Sequence, residues 1–108
     1  MNLPPSRAFQ PARDGRATII DIFEPHEWRE TGAPPEALLV PQVTLEAEGR
    51  PLGRGPIILT CRTGSRSRET LKTLAERGLN VFEIAGGIEA WLSAGLPLTS
   101  PAAGRRRL

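Results

Sequence analysis

The stretch GPIILTCRTGSRSRETLKTLAERG, residues 55–78, decides the fold class. It opens with a short apolar run at 55–60, which is typical of a buried strand. After the loop CRTGS, apolar residues recur at helical spacing, which predicts a helix over about 66–77 with Gly78 as its left-handed cap. The stretch therefore predicts a strand, a loop and a helix, with Cys61 at the point where the strand ends.

Strand and helix patterns alternate along the rest of the chain as well. Strands are predicted at 17–23, 37–41 and 80–85, and a short helix follows each of them: 25–31 before Gly32, 42–48 before Gly49, and one through Trp91 to Gly95. Parallel strands need such crossover connections. The pattern predicts an α/β fold, a small open parallel sheet of four to five strands with helices on both faces.

The two ends of the chain differ from its middle in composition. Residues 1–16 hold three prolines and no apolar periodicity, so we expect an extended lead-in without a convincing first strand. Residues 17–99 carry the alternating pattern and are predicted to form the single domain. Residues 100–108 end in GRRRL and are expected to be a flexible, solvated basic tail.

Composition excludes several classes of protein. Hydrophobic residues make up 39% of the 108 and charged residues 24%, values typical of a soluble globular domain. No stretch is apolar enough to cross a bilayer or act as a secretory signal, so we expect a cytoplasmic protein without a membrane partner. A net charge of +2 is too small to suggest a nucleic-acid partner. One cysteine and one histidine cannot form an internal disulfide or a Cys/His zinc site.

The single cysteine is predicted to be a nucleophile. In open parallel sheets the binding crevice lies at the carboxyl ends of the strands, where Cys61 is placed. The following residues enter a helix N-terminus, whose free amides favour an anion, and Gly64 lets the loop curl around it. The guanidinium groups of Arg62 and Arg66 add positive charge. Together these features favour a reactive thiolate over an inert buried cysteine.

Four segments resemble those of one known family, the rhodanese-type sulfurtransferases. The loop CRTGSRS (61–67) resembles the family's active-site pattern Cys-x-x-Gly-x-Arg at the end of a strand. IDIFEPHEW (20–28) resembles its Asp-Val-Arg-x-x-x-Glu-aromatic segment, and GAPPEALLVP (32–41) resembles its Gly-His-Ile-Pro-Gly-Ala segment. GLNVFEIAGGIEAWLSAGLPL (78–98) is similar to its closing strand, Gly-Gly-x-x-x-Trp helix and Gly-Leu-Pro exit. The resemblance covers roughly residues 17–98.

Three positions depart from the family pattern in the first half of the chain. Phe23 stands where the family usually has arginine, Ala33 stands where it often has histidine, and Glu36 replaces a usual glycine. None of them lies in the active-site loop. All three belong to the neighbouring segments that would support it.

The resemblance implies transfer of sulfane sulfur, from thiosulfate or a persulfide donor, through a Cys61 persulfide, to cyanide or a thiol acceptor. The implied catalytic residue is Cys61, and Asp21 would support the neighbouring loops. The residues expected to bind the small anionic donor and the persulfide are Arg62, Thr63, Gly64, Ser65, Arg66 and Ser67. No metal or organic cofactor is implied, and the acceptor could be another protein.

Two other functions remain open on the same scaffold. One is a persulfide carrier or regulatory binding module with little turnover of its own. The other is a phosphatase or arsenate reductase, which would require the longer loop Cys-x5-Arg to surround a tetrahedral oxyanion. Here that arginine position is Ser67, and the arginine comes one residue earlier.

Gly86 and Gly87 could form a second anion nest or a tight strand-to-helix turn.

Overall fold

Five short strands pair into one sheet in the computed structural model, which describes residues 2–48 and 55–99. They are β1 (Asn2–Leu3), β2 (Thr18–Asp21), β3 (Leu38–Leu39), β4 (Ile57–Thr60) and β5 (Val81–Ile84). The order across the sheet is β1-β5-β4-β2-β3, and each neighbouring pair is parallel. The strand that precedes Cys61 is therefore the central one.

Helices cover both faces of this sheet. They are α1 (Pro5–Arg13), α2 (Pro25–Thr31), α3 (Gln42–Glu48), α4 (Ser65–Glu76) and α5 (Gly87–Ser93). Because strand side chains alternate between faces, Ile57 and Leu59 join one apolar cluster, which includes residues of α3 and α4. Ile58 joins a second cluster, which includes residues of α1 and α5. The predicted α/β fold with helices on both faces is confirmed.

The central strands are buried along their whole length. Each residue of β2 and β4 is buried, as expected for parallel strands that are covered on both faces. The helix after Cys61 begins one residue before its predicted start, at Ser65, and Gly78 has the left-handed φ of +84° expected after its end. The predicted end of α3 at Gly49 lies outside the described residues.

The amino-terminal segment differs from its prediction. Residues 1–16 were expected to be an extended lead-in, but they contain β1 and the nine-residue helix α1. Pro5 occupies the first helical turn, where a missing N–H is tolerated, and Ala8 and Ala12 are buried one turn apart. The strand forms because β5 offers it an edge, with Leu3 paired to Ile84. The sheet has five strands for this reason.

The outer limits of the domain stay a prediction, and residues 100–108 lie outside the described part of the chain. Within residues 2–48 and 55–99, no helix has both the length and the apolar composition that crossing a bilayer requires.

Candidate active site

Cys61 lies directly after the central strand, at the carboxyl edge of the sheet, as predicted. β4 ends at Thr60, and the Cys61 side chain joins the apolar cluster on the α4 face. The residue is 1% exposed. Its thiol is therefore surrounded by protein rather than by bulk water.

The loop after Cys61 turns back and directs backbone amides at the sulfur. The N–H of Gly64 donates to Sγ at 3.2 Å, and the N–H of Ser67 donates at 3.4 Å. Gly64 makes this possible because it precedes α4 with φ +106°, a conformation that residues with a Cβ rarely adopt. The sulfur thus lies at the N-terminus of a 12-residue helix, where amides and the helix dipole favour negative charge.

Arg66 lies beside the loop and forms a two-point ion pair with Glu27 of α2. Its Nη1 donates to Oε1 at 2.9 Å and its Nη2 donates to Oε2 at 2.7 Å. The guanidinium, through these bonds above all, holds the pKa of Glu27 below its usual value, although burial acts in the opposite direction. The same bonds raise the pKa of Arg66, and the nearby Cys61 and Asp21 contribute in that direction.

The ring of Phe23 packs against the guanidinium of Arg66, and the carboxylate of Asp21 binds the backbone of Phe23. The Arg66 guanidinium carbon lies 5.5 Å from the centroid of the Phe23 ring, within range of a cation–π contact. The buried Asp21 accepts a hydrogen bond from the Phe23 N–H at 3.0 Å on Oδ1. Asp21 therefore helps to shape the turn after β2 that carries this ring. Its wider supporting role stays a prediction.

The turn between β5 and α5 packs against the active-site loop. The N–H of Ile88 donates to the Cys61 carbonyl at 2.8 Å, and that of Glu89 donates to the Arg62 carbonyl at 3.1 Å. A Cβ on Gly87 would overlap both carbonyl oxygens. The geometry therefore supports a tight strand-to-helix turn at Gly86 and Gly87 rather than a second anion nest. The amides of Ile88 and Glu89 that follow the turn are bonded to protein carbonyls.

A buried serine and a buried glutamate lie behind the sulfur. Ser67 Oγ is 3.7 Å from Cys61 Sγ and 3.1 Å from both the Gly64 carbonyl and Glu83 Oε2. Glu83, on β5, is 4% exposed, and its Oε1 lies 3.6 Å from Nε of Arg68. Sequence reasoning included Ser67 but missed Glu83. The available signal was a charged residue inside the apolar strand NVFEIA.

Comparison with known proteins identifies the family to which this chain belongs. The family model described as "Rhodanese-like domain" matches residues 5–94. The chain belongs to the rhodanese-like domain family. It is 31% identical over 101 residues to the thiosulfate sulfurtransferase GlpE of Actinobacillus pleuropneumoniae serotype 7, a match that covers 89% of this chain and 90% of the relative.

Solved structures share the fold of this rhodanese-like domain. A rhodanese-related protein from Thermoplasma volcanium superposes with a TM-score of 0.80 at 24% identity, covering 91% of this chain and 96% of its own. A protein of unknown function from Rhodopseudomonas palustris, described as a possible tyrosine phosphatase, has the same TM-score at 27% identity and covers 91% and 83%. The first similarity concerns the fold alone.

The predicted binding residues of the rhodanese-like domain fall into three groups. Gly64 and Ser67 contact the sulfur directly through their amides. Arg66 is partly buried and pairs with Glu27 beside the loop. The side chains of Arg62, Thr63 and Ser65 are exposed on the loop. Their roles in substrate binding stay predictions. Among residues 2–48 and 55–99 no group of three or more His, Cys, Asp or Glu side chains is arranged to hold a metal ion.

Arg68 follows the CRTGSRS loop on the first turn of α4. Its side chain is 68% exposed, and its Nε lies 3.6 Å from Glu83 Oε1.

Proposed function

We propose that this rhodanese-like domain is a sulfurtransferase that takes sulfane sulfur from thiosulfate or a persulfide, carries it on Cys61, and passes it to cyanide or a thiol. The observation that carries the proposal is the thiol at the start of α4, with the amides of Gly64 and Ser67 directed at Sγ. The similarity to a relative named thiosulfate sulfurtransferase, at 31% identity, supports the same reaction class.

The reaction has two sulfur-transfer steps. In the first, the Cys61 thiolate attacks the outer sulfur of thiosulfate, a new S–S bond forms, and sulfite leaves with the electrons of the broken S–S bond. The product is a Cys61 persulfide whose outer sulfur carries the negative charge. In the second, the carbon of cyanide attacks that outer sulfur, thiocyanate leaves, and the Cys61 thiolate is restored. Both steps balance without a cofactor.

The loop supports these steps by electrostatics. Amides at a helix N-terminus stabilise a thiolate, and equally the anionic end of a persulfide that lies in the same cradle. The exposed Arg62 would attract an anionic donor. Arg66, whose outer nitrogens hold Glu27, would contribute positive charge from a fixed position.

Burial of the nucleophile bears on the class of donor. Cys61 is 1% exposed, so a donor must present one protruding atom to Sγ. The terminal sulfur of thiosulfate or of a persulfide has this form.

Intact-mass spectrometry tests the proposal. Incubation with thiosulfate is expected to add one sulfur, about 32 mass units, to the wild-type chain and nothing to Cys61→Ser, because a hydroxyl is a poor nucleophile toward sulfane sulfur. Cyanide is then expected to remove the added mass and yield thiocyanate. A reduced chain that alkylates at Cys61 but never gains sulfur from either donor class would contradict the proposal.

A persulfide carrier is the second candidate, favoured by the same burial of Cys61, which would protect a stored persulfide. Sulfur that loads but leaves only to a protein acceptor would identify this role. Hydrolysis of an aryl phosphate that depends on Cys61 would instead support the phosphatase alternative. A protein acceptor and a cytoplasmic location are further expectations of the proposal.

A further inference from the structure

Glu83 is a buried carboxylate that the sulfur-transfer steps do not use. It is 4% exposed, and its ion-pair partner Arg68 is 3.6 Å away with a side chain that is 68% exposed. Removing a carboxylate from water is unfavourable, and a distant, exposed partner compensates only in part. An apolar residue would suit this strand better, so the carboxylate calls for a functional explanation.

The hydrogen-bond geometry connects Glu83 to the nucleophile through Ser67. The Ser67 hydroxyl has one hydrogen and two oxygen acceptors within reach, the Gly64 carbonyl and Glu83 Oε2, both at 3.1 Å. An ionised carboxylate is the stronger acceptor. While the hydroxyl donates to it, the Ser67 oxygen presents its lone pairs to Cys61 Sγ, 3.7 Å away.

This orientation distinguishes between the two forms of the cysteine. A protonated thiol can donate its hydrogen to the Ser67 oxygen, whereas a thiolate would meet that oxygen's lone pairs and a second negative charge behind it. The amides of Gly64 and Ser67 act in the opposite direction. The charged side chains near the sulfur on the loop and on the elements around it include Arg62, Arg66, Arg68 and Glu69 on the loop and α4, Asp21 and Glu27 on the β2 side, and Glu89 at the start of α5.

We propose that Glu83 is a positioning residue that acts through Ser67 to favour the protonated, less reactive form of Cys61 in the resting protein. The inference rests on the proposed function of Cys61 as the nucleophile. Thiolates are alkylated and oxidised far more readily than thiols. The arrangement would therefore limit side reactions of the empty enzyme, and it would slow sulfur loading in return.

The test is the rate at which iodoacetamide, a neutral reagent, alkylates Cys61. The chain has one cysteine, so intact mass reports this site alone. Glu83→Gln keeps the shape, removes the charge, and lets the Ser67 hydrogen turn to the sulfur. We expect the rate at about pH 7 to rise at least about fivefold and the rate–pH profile to move to lower pH. Glu69→Gln, which replaces an exposed carboxylate on α4 by a carboxamide, is the matched control and is expected to change the rate less than about twofold.

A double-mutant cycle distinguishes an effect of Glu83 that passes through Ser67 from a direct electrostatic effect of its charge on Cys61. If Glu83 acts through Ser67, adding Glu83→Gln to Ser67→Ala is expected to change the rate less than about twofold. An undiminished acceleration in the Ser67→Ala background would overturn the positioning role. An unchanged or slower rate for Glu83→Gln alone would overturn the inference entirely.

Folding and function are checked separately. Glu83→Val is a second variant, because replacing a buried charge by an apolar residue is often neutral or stabilising; the same acceleration is expected, and its absence in a folded protein counts against the inference. Alkylation needs no sulfur donor. A wild-type chain that fails to load sulfur would contradict the proposed function, and the alkylation cycle would still decide the role of Glu83.

Discussion

At the scale of single residues, the ion pairs Arg66–Glu27 and Arg68–Glu83 lie beside the active-site loop. Arg66 holds the carboxylate of Glu27 through two hydrogen bonds and lies over the ring of Phe23. Glu27 also accepts the N–H of Glu24 at 2.9 Å, which ties the start of α2 to the same pair. Arg66 is thereby held in one orientation by protein contacts, which under the proposed function would reduce the entropy lost when a donor binds.

The Arg66–Glu27 pair predicts a pH-dependent contribution to stability. The pKa of Glu27 is lower in the folded protein than in the unfolded chain, so its stabilisation is present above the unfolded pKa and is lost as pH falls through the folded one. Glu27→Gln is therefore expected to lower the free energy of unfolding by about 1 kcal/mol near neutral pH and by much less near about pH 3.

Urea unfolding of the variant and the wild type at both pH values measures this difference. Glu30→Gln, an exposed position on the same helix, is the control and should change stability little. A difference that is equally large at acid and neutral pH would mean that Glu27 stabilises the protein by packing rather than by charge.

At the scale of elements, the active-site loop is held from two sides. α4 supplies the amides that contact the sulfur, and the start of α5 supplies the amides that hold the carbonyls of Cys61 and Arg62. The close approach of α5 depends on Gly87, which has φ +61° and no room for a Cβ. The geometry of the active-site loop therefore depends on α4, on α5 and on the glycine turn between β5 and α5.

Gly87→Ala is expected to lower the free energy of unfolding by about 3 kcal/mol or more, because its Cβ meets backbone oxygens that cannot move freely. Gly78→Ala is a matched control: Gly78 also has a positive φ, +84°, but nothing lies within 4 Å of the added Cβ. Only the conformational penalty of about 1 kcal/mol is expected there.

Chemical unfolding and sulfur loading should both be measured for these two glycine variants. Gly87→Ala is expected to lose loading even at temperatures where it remains folded, since the carbonyls it displaces belong to the loop. Equal losses of stability in the two variants would show that the turn can move away from Cys61.

At the scale of the whole molecule, the sheet separates two apolar clusters, and the active site belongs to one of them. Cys61 and Leu74 lie in the cluster on the α4 face. Trp91 lies in the cluster on the opposite face, where the Phe9 ring of α1 meets it edge to face at 5.7 Å. The amino-terminal segment therefore completes the core on the face away from Cys61.

This separation predicts that stability and reactivity can be changed independently. Phe9→Ala is expected to lower the free energy of unfolding by about 2 kcal/mol through lost burial and the lost ring contact. The alkylation rate of Cys61 is expected to stay within about twofold, because the sheet lies between the two sites.

Leu92→Ala, on the exposed side of α5, is the control and should alter stability by less than about 0.5 kcal/mol. Denaturant titration and iodoacetamide kinetics on the same samples provide both readouts. A large change in Cys61 reactivity in Phe9→Ala would show that the two clusters are coupled.

Local patterns were enough to predict the central part of the fold and the place of Cys61 in it. The strand, loop and helix around Cys61 are encoded by neighbouring residues: a continuous apolar run, a glycine that permits φ +106°, and apolar residues at helical spacing. The parallel arrangement follows because alternating strands and helices need crossover connections. For these reasons the sequence by itself determined the α/β class and the position of Cys61 at the carboxyl edge.

Only the tertiary structure decided which groups meet around the sulfur. Glu27 and Arg66 are 39 residues apart, and Ser67 and Glu83 are 16 apart, so no local pattern states that they are in contact. β1 likewise forms only because β5 provides an edge, which the proline-rich sequence of residues 1–16 does not indicate. The physical reason is the same in each case: a local pattern reports the preferences of a segment, whereas hydrogen bonds and burial between distant segments exist only once the chain has folded.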